Sequence, residues 1–173
     1  MDQAKALLKS GDIIVRDGND EVSEAARNFN RKDKSYSHCG IIQIEHDTVF
    51  VYHALGGSFN PSQKLLRQPL NIFCHPKEVN KFAVFRYELD IDEDIRLSDW
   101  IHRSYVEGLP FDLFFNFYTD DKMYCSEFVF KAINTATNGA LNKYLQKEGG
   151  VLYVTIDDLY LNEGAKEVVE VGF

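Results

Sequence analysis

Three side chains of the right types for acyl-transfer chemistry punctuate this chain: Cys125 in YCSEFVFKA, His38 in SYSHCGII and His53 in VFVYHALGG. Hydrolysis through a cysteine needs a thiolate, a base to take its proton, and a third group that fixes the base's ring. Cys125 falls where a loop turns into a helix, and the unpaired N–H groups at a helix start favour thiolate over thiol. The same groups, with the N–H of Cys125 itself, are natural donors to an oxyanion once a carbonyl is attacked. Ser126 joins the candidate site through its place in that first turn, and Tyr124 as a side chain able to line the cleft or donate to the oxyanion. Taken alone, the segment also fits a buried small apolar cysteine, and Glu127 fits ordinary helix capping.

His38 supplies a candidate base. It opens the apolar run HCGIIQI beside a glycine, where a side chain can project from a sheet edge, and His53 closes the next apolar run. If the two runs form a hairpin turning at His46-Asp47, the ends of its arms lie side by side and the rings can meet across adjacent strands. One imidazole then holds the tautomer and orientation of the other, a task more often given to Asp, Glu or Asn. Without Cys125, two strand-end histidines would read as surface decoration.

The elements that must carry these groups are legible in the pattern. DIIVR is a short apolar strand after Lys9-Ser10-Gly11, and Val22, Ala25, Ala26 and Phe29 recur at helical spacing in DEVSEAARNFN. HCGIIQIEHDTVFVYHAL reads as two strands around a turn, Ile42 and Ile44 alternating with Gln43 and Glu45. GGSFNPSQ is a loop, the passage bracketed by Pro69 and Pro76 is irregular, and KFAVFRYEL is a further strand. DEDIRLSDWIHRSYVEG is a helix with acids in its first turn, ended by Gly108 and Pro110. The helix from about Ser126 carries Val129, Ala132, Ile133 and Ala136 on one face and stops near Asn138-Gly139. TIDDLYLN is a helical turn and AKEVVEVGF a closing strand. This order predicts an α+β fold, an antiparallel β-sheet packed against helices.

The totals bound the function. With 173 residues, 45% hydrophobic and 13% aromatic, residues 1–173 suffice for one domain with a proper core and are too few to make two expected. A formal charge of −8 argues against nucleic acid and anionic membrane surfaces. The one basic cluster, RNFNRKDKSYSH, is interrupted by Asp33 and reads as a solvated loop, with a local anion-binding patch as the alternative. Three cysteines without a CxxC spacing suit neither a disulfide framework nor a zinc–cysteine site, and free thiols suit a reducing compartment. No apolar run reaches the length of a signal peptide or a membrane span. A cytoplasmic protein is therefore expected, a trimmed chain or specialised export being the alternative.

The remaining cysteines and histidines have plainer readings. Cys39 follows His38 on a strand and should point to the opposite face as a core thiol. Cys74-His75 sits in a Pro-flanked loop, and no spacing supports a metal site built from Cys39, Cys74 and nearby histidines. His46 is a turn residue and His102 a helix-surface residue, both solvent-facing. In the run Phe111, Leu113, Phe114, Phe115, Phe117, Tyr118, core packing is expected to account for most rings, and any exposed remainder would make an apolar substrate groove.

Four segments in order, SGDIIVR, SHCGII, VYHALGG and YCSEFVFKA, resemble the permuted papain-like cysteine amidases, the YiiX/YebB-like branch of the NlpC cell-wall endopeptidase superfamily. In ordinary papain-like enzymes the cysteine precedes the histidine. In the permuted branch a Gly-Asp strand comes first, a His-x-Gly strand second, a polar residue on the next strand third, and the cysteine-bearing helix late. That order covers this chain from Gly11 to about Ala136. The resemblance implies a circularly permuted papain-like fold, Cys125 as nucleophile, His38 as base and His53 as orienting group, with Gly11 and Asp12 structural rather than catalytic. One departure stands out: many YiiX-like sequences carry Glu where this one has His53. Relatives with His there resemble the lecithin:retinol acyltransferase group, which transfers acyl groups on lipids.

The leading expectation is a cysteine amidase or peptidase with a Cys-His-His triad, working through a thioester acyl-enzyme on a small peptide substrate, without metal or organic cofactor. The second is a lipid acyl-ester hydrolase or acyltransferase of the lecithin:retinol acyltransferase type. The third, from another class, is a non-catalytic module that keeps the cleft for a small acyl, peptide or lipid ligand. The sequence is silent on oligomeric state.

Overall fold

The structure is a computed structural model and describes residues 2–173. Its strands are β1 (Ile13–Gly18), β2 (His38–Glu45), β3 (Thr48–His53), β4 (Leu66–Pro69), β5 (Val79–Tyr87), β6 (Lys147–Glu148), β7 (Val151–Leu152) and β8 (Ala165–Gly172). Its α-helices are α1 (Asp2–Lys5), α2 (Glu21–Phe29), α3 (Leu70–Phe73), α4 (Ile91–Glu107) and α5 (Cys125–Ala136). Six strands make one sheet in the order β4-β3-β2-β1-β5-β8, every neighbouring pair antiparallel. β6 and β7 form a separate small ribbon.

The central strands are buried on both faces, which is why DIIVR and CGII are continuous apolar runs rather than alternating ones. Ile13, Val15, Cys39, Ile41 and Tyr52 point into a core shared with Phe128, Val129, Ala132 and Ile133 of α5 and Leu97 and Ile101 of α4. Ile14, Ile42, Val51, Phe82 and Val84 point the other way, into a core closed by Ala4, Leu8, Leu70, Phe73 and Cys74. Burying each large apolar side chain contributes roughly 1.5–3 kcal/mol, so the sheet is clamped between α4 with α5 and α1 with α3.

The hairpin between β2 and β3 turns where the sequence places it. Glu45 pairs with Thr48, and the two residues between them, His46 and Asp47, have φ of 46° and 64°. A two-residue connection with both φ positive has the twist that matches its strands. α5 likewise ends as expected, with Asn138 and Gly139 left-handed at φ 52° and 89°.

Two passages differ from expectation. The passage bracketed by Pro69 and Pro76 is not wholly irregular, since Leu70–Phe73 form the short α3, and the edge strand β4 runs up to Pro69. Pro69 closes the edge strand, where a missing N–H is tolerated, and then precedes α3. The basic cluster is only in part a solvated loop: Lys32 and Lys34 are exposed, but Arg31 is tied down. Arg31 bonds to Asp158 at 3.1 Å, Glu148 at 2.7 Å and the Tyr153 carbonyl at 2.9 Å, while buried Asp157 accepts the N–H groups of Arg31, Lys32 and Asp33. Its charge is spent on a tie between residues 31–33 and 148–158, which leaves no free anion patch on Arg31.

The Gly11-Asp12 pair is structural. Gly11 turns the chain at φ 87°, and the backbones of Gly11 and Asp12 pair with Ile42 at 2.9 and 2.8 Å. The Asp12 carboxylate, 1% exposed, accepts two bonds from Arg86 at 2.6 and 2.7 Å and one from the Lys9 N–H at 2.8 Å. Replacing Asp12 by Ala is expected to cost about 3 kcal/mol of stability, read from urea melts, while leaving the alkylation rate of Cys125 in the folded protein unchanged.

Candidate active site

Cys125 is the first residue of α5, following Tyr124 in an extended conformation. Three hydrogen bonds pin this helix start. The Tyr124 hydroxyl accepts the Val154 N–H at 2.9 Å, the Ser126 hydroxyl donates to the Val154 carbonyl at 2.9 Å, and the Glu127 carboxylate accepts the Tyr124 N–H at 3.2 Å. The side chains of Tyr124 and Ser126 are thus tethers, both buried. Glu127 caps the helix as its position implies. Burial pushes its carboxyl up to about 7, against the pull of Lys131, whose Nζ lies 2.8 Å from Oε1.

The thiol of Cys125 rests against that of Cys39. As expected, Cys39 is a fully buried core residue on the face of β2 opposite His38, and that face is the one α5 covers. Burial first, and the neighbouring Cys125 second, hold the Cys39 thiol far above its ordinary range, so it keeps its proton. The neighbouring Cys39 thiol is the largest influence lowering the pKa of Cys125; burial opposes it, and the backbone N–H of Ser126 assists. Of the two thiols, Cys125 is therefore the one whose surroundings favour the thiolate. Cys74 is a different case: burial pushes its thiol up to about 12. It lies in the core on the far side of the sheet from Cys39, so these two cannot share a metal ion.

His38 and His53 meet. His38 Nε2 lies 2.8 Å from His53 Nδ1, the rings crossing edge-to-face with centroids 4.9 Å apart. The register explains it: Ile41 pairs with Tyr52, which sets Gly40 opposite His53 and His38 diagonally beside it, on the same face. Gly40 is required there, since a Cβ would fall 2.6 Å from Val51 and 3.0 Å from His53. Phe73 of α3 packs on both rings, at 5.7 and 5.0 Å. His53 is fully buried and His38 is 7% exposed.

Two participants were not anticipated from the sequence. Arg16 pairs with His38 in register, stacks its guanidinium 4.6 Å above Phe73 and donates to the Phe73 carbonyl at 2.6 Å. Its charge acts on both histidines and on Cys125. Gln68 of β4 places Oε1 3.1 Å from His53 Nε2. A strand in the 66–69 passage was the signal that would have found Gln68; nothing in DIIVR distinguishes Arg16 from a solvated strand-end arginine. Burial first, and Arg16 second, push His53 down to about 3; burial, then His53 and Arg16, hold His38 well below its ordinary value. Both rings are neutral at physiological pH.

Arg16, His38, His53 and Cys125 thus gather at one end of the sheet, since His38 begins β2, His53 ends β3 and Cys125 begins α5. The structure joins the histidines to each other and sets Cys125 near Cys39. Among the described residues no hydrogen bond links Cys125 to His38 or His53.

The aromatic run beside Cys125 departs from expectation. Phe117 is buried and Phe111 half-buried, but Leu113, Phe114, Phe115 and Tyr118 are exposed, Phe114 to 82%. The cause is Asp112, which is buried and accepts the N–H groups of Phe114 and Asn116 at 2.9 and 2.6 Å, curling the loop so that its rings point outward. Phe115 connects this loop to the site, packing on Tyr124 at 5.2 Å and Phe29 at 5.7 Å. A cavity of about 670 Å³ lies elsewhere, between α4, α5 and the 109–123 loop, lined by Trp100, Phe130 and Lys131 and by none of the candidate catalytic residues. His46 and His102 are exposed, as expected.

Comparison with known proteins decides the family. Residues 7–153 match the family model described as permuted papain-like amidase enzyme, YaeF/YiiX, C92 family. The chain belongs to this family. It is 30% identical over 130 residues to YiiX of Escherichia coli strain K12, an alignment covering 74% of this chain and 58% of that protein, so the chain spans well under two thirds of its relative's length. The crystal structure of metalloprotein yiiX from Escherichia coli O157:H7 superposes with a TM-score of 0.73 at 20% identity, covering 95% of this chain and 98% of that one. The fold is accordingly the circularly permuted papain-like α+β fold, and the family is one of cysteine amidases. Among the described residues of this chain, no group of three or more His, Cys, Asp or Glu is arranged to hold a metal ion, and no helix is long and apolar enough to cross a membrane.

Two outcomes follow from the electrostatics. Replacing Cys39 by Ala removes the largest influence lowering the Cys125 pKa, so the pH midpoint of Cys125 alkylation by iodoacetamide should move upward. The histidines set an acid limit. Unfolding returns each ring to about 6.5, so their contribution to stability is complete above that pH and is lost as pH falls through the window down to about 3 set by His53. Urea melts should show stability falling towards about 1.4 kcal/mol per pH unit for each ring, and His53→Gln should flatten the slope.

Proposed function

We propose that this protein is a cysteine amidase in which Cys125 attacks the carbonyl of a small peptide-type amide, with His38 as base and His53 as its orienting group. The observation that carries the reading is the buried His38–His53 pair at the same end of the sheet as a helix-starting cysteine of lowered pKa. His38 is the first residue of β2 and Cys125 the first of α5, so the bond from the thiol to His38 forms around this end of the sheet with substrate in place, as catalytic contacts often tighten only in the bound state. The proton of Cys125 passes to His38, and the sulfur adds to the carbonyl carbon while the π electrons move to oxygen. The N–H groups of Cys125 and Ser126 hold that oxyanion. Collapse expels the amine, which takes the proton from His38 and leaves a thioester. Water, deprotonated by His38, then releases the carboxylic acid and restores the thiol.

A second reading is favoured by one specific observation. The outward-facing rings of Phe114 and Tyr118, and Leu113 beside them, offer the apolar surface an acyl chain needs. The same thioester chemistry on a lipid ester would then transfer the acyl group to water or another acceptor. A non-catalytic binding module is the reading that remains if the thiol proves inert.

Cys125→Ala should abolish turnover of a panel of peptidyl amides and acyl esters while preserving the thermal unfolding profile, and His38→Ala should lower kcat by about a hundredfold or more. Retained hydrolysis in Cys125→Ala would sink the assignment; preference within the panel separates amide from lipid ester.

A further inference from the structure

The contact between Gln68 and His53 determines where protons sit on both rings. The carbonyl oxygen Oε1 of Gln68, 3.1 Å from His53 Nε2, can only accept, so His53 carries its proton on Nε2. His53 is neutral and has one proton, which makes its Nδ1 an acceptor. The 2.8 Å contact then requires His38 Nε2 to donate. His38 is also neutral, so that donation uses its single proton and leaves Nδ1 with a free lone pair. Nδ1 makes no hydrogen bond within the described protein and is not among its sealed, unpartnered polar atoms, so it keeps some contact with solvent.

We propose that Gln68 is a positioning residue: through His53 it holds His38 in the tautomer whose Nδ1 can accept the proton of Cys125. The proposal rests on His38 being the base. Its logic is a chain of obligatory directions. With the amide reversed, the Gln68 NH2 would donate to His53 Nε2, His53 Nδ1–H to His38 Nε2, and His38 would be left with a proton on Nδ1 and nothing there to accept a second. One terminal amide on an edge strand thus separates a base from a bystander. A neutral amide suits the task, because it orients the pair without adding a negative charge that would draw a second proton onto it.

The test uses the full chain labelled with ¹⁵N in histidine, long-range ¹H–¹⁵N spectra to read the tautomers, and p-nitrophenyl acetate as the turnover probe. In the wild type both rings should appear as Nε2–H tautomers. Gln68→Met, which removes the acceptor at similar volume, should turn His38 into a mixture with Nδ1–H and lower kcat by about tenfold or more with KM unchanged. Gln68→Glu, which can only accept when ionised, should retain the wild-type tautomers and recover turnover at pH high enough that its charge draws no second proton onto the pair. An unchanged His38 tautomer in Gln68→Met, or loss of the wild-type tautomer in Gln68→Glu, overturns the proposal. Because the spectra need no substrate, tautomers that shift as expected in a chain inert towards the ester would uphold the role of Gln68 and count against the hydrolase reading alone.

Discussion

Everything at the site depends on the register of β2. A strand alternates its side chains between faces, so His38 and Cys39, adjacent in the chain, serve opposite sides of the sheet. Cys39 meets the start of α5 and the sulfur of Cys125; His38 meets Arg16, His53 and Phe73. A slip of one residue would exchange the two, burying a histidine under α5 and leaving a thiol beside the second histidine. The register is held on one side by Val15 opposite Cys39, and on the other by the two-residue turn at His46-Asp47. At the far end of β2, the backbone bonds of Gly11 and Asp12 to Ile42 and the Asp12–Arg86 pair hold the same alignment.

The electrostatics of the two faces complement each other. Beneath α5, two thiols share a mostly apolar setting in which one keeps its proton so that the other can lose its own. Across the sheet, two imidazoles are kept neutral by burial and by a neighbouring guanidinium. A base must be neutral to accept a proton and a nucleophile must be able to give one up, so both settings favour the resting state of a thiol hydrolase. Arg16 belongs to both: its charge opposes protonation of the rings and favours the Cys125 thiolate. It forms no ion pair with a carboxylate among the described residues and its buried Nε has no acceptor, while Glu78 and Asp20 act on it through space.

Around this centre the chain spends its polar groups on fixing irregular segments. Asp112 curls the aromatic loop, Asp157 collects three backbone N–H groups of the segment after α2, and Val154 receives both hydroxyls at the start of α5. The basic cluster and the aromatic run were misjudged from the sequence for one reason. Composition cannot show that a distant carboxylate will claim a loop, and the partners of residues 31–33 lie more than a hundred positions along the chain. The short elements around Pro69 are not legible because Pro69 and Pro76 read as punctuation, whereas Pro69 ends an edge strand that only the neighbouring β3 defines.

The sequence by itself determined the elements and their chemistry. Apolar periodicity placed β1, β2, β3, β5, β8, α2, α4 and α5, the order of SGDIIVR, SHCGII, VYHALGG and YCSEFVFKA carried the family resemblance, and a hairpin turning at His46-Asp47 carried the pairing of His38 with His53. These are local facts, since a period of two or 3.6 and a two-residue turn are written within a few residues of themselves. The tertiary structure alone decided that the thiol partner of Cys125 is Cys39, that Arg16 faces the histidines, and that Gln68 directs His53. Those contacts join groups far apart in sequence, and only the closing of the sheet between two layers of helices brings them within hydrogen-bond and Coulombic range.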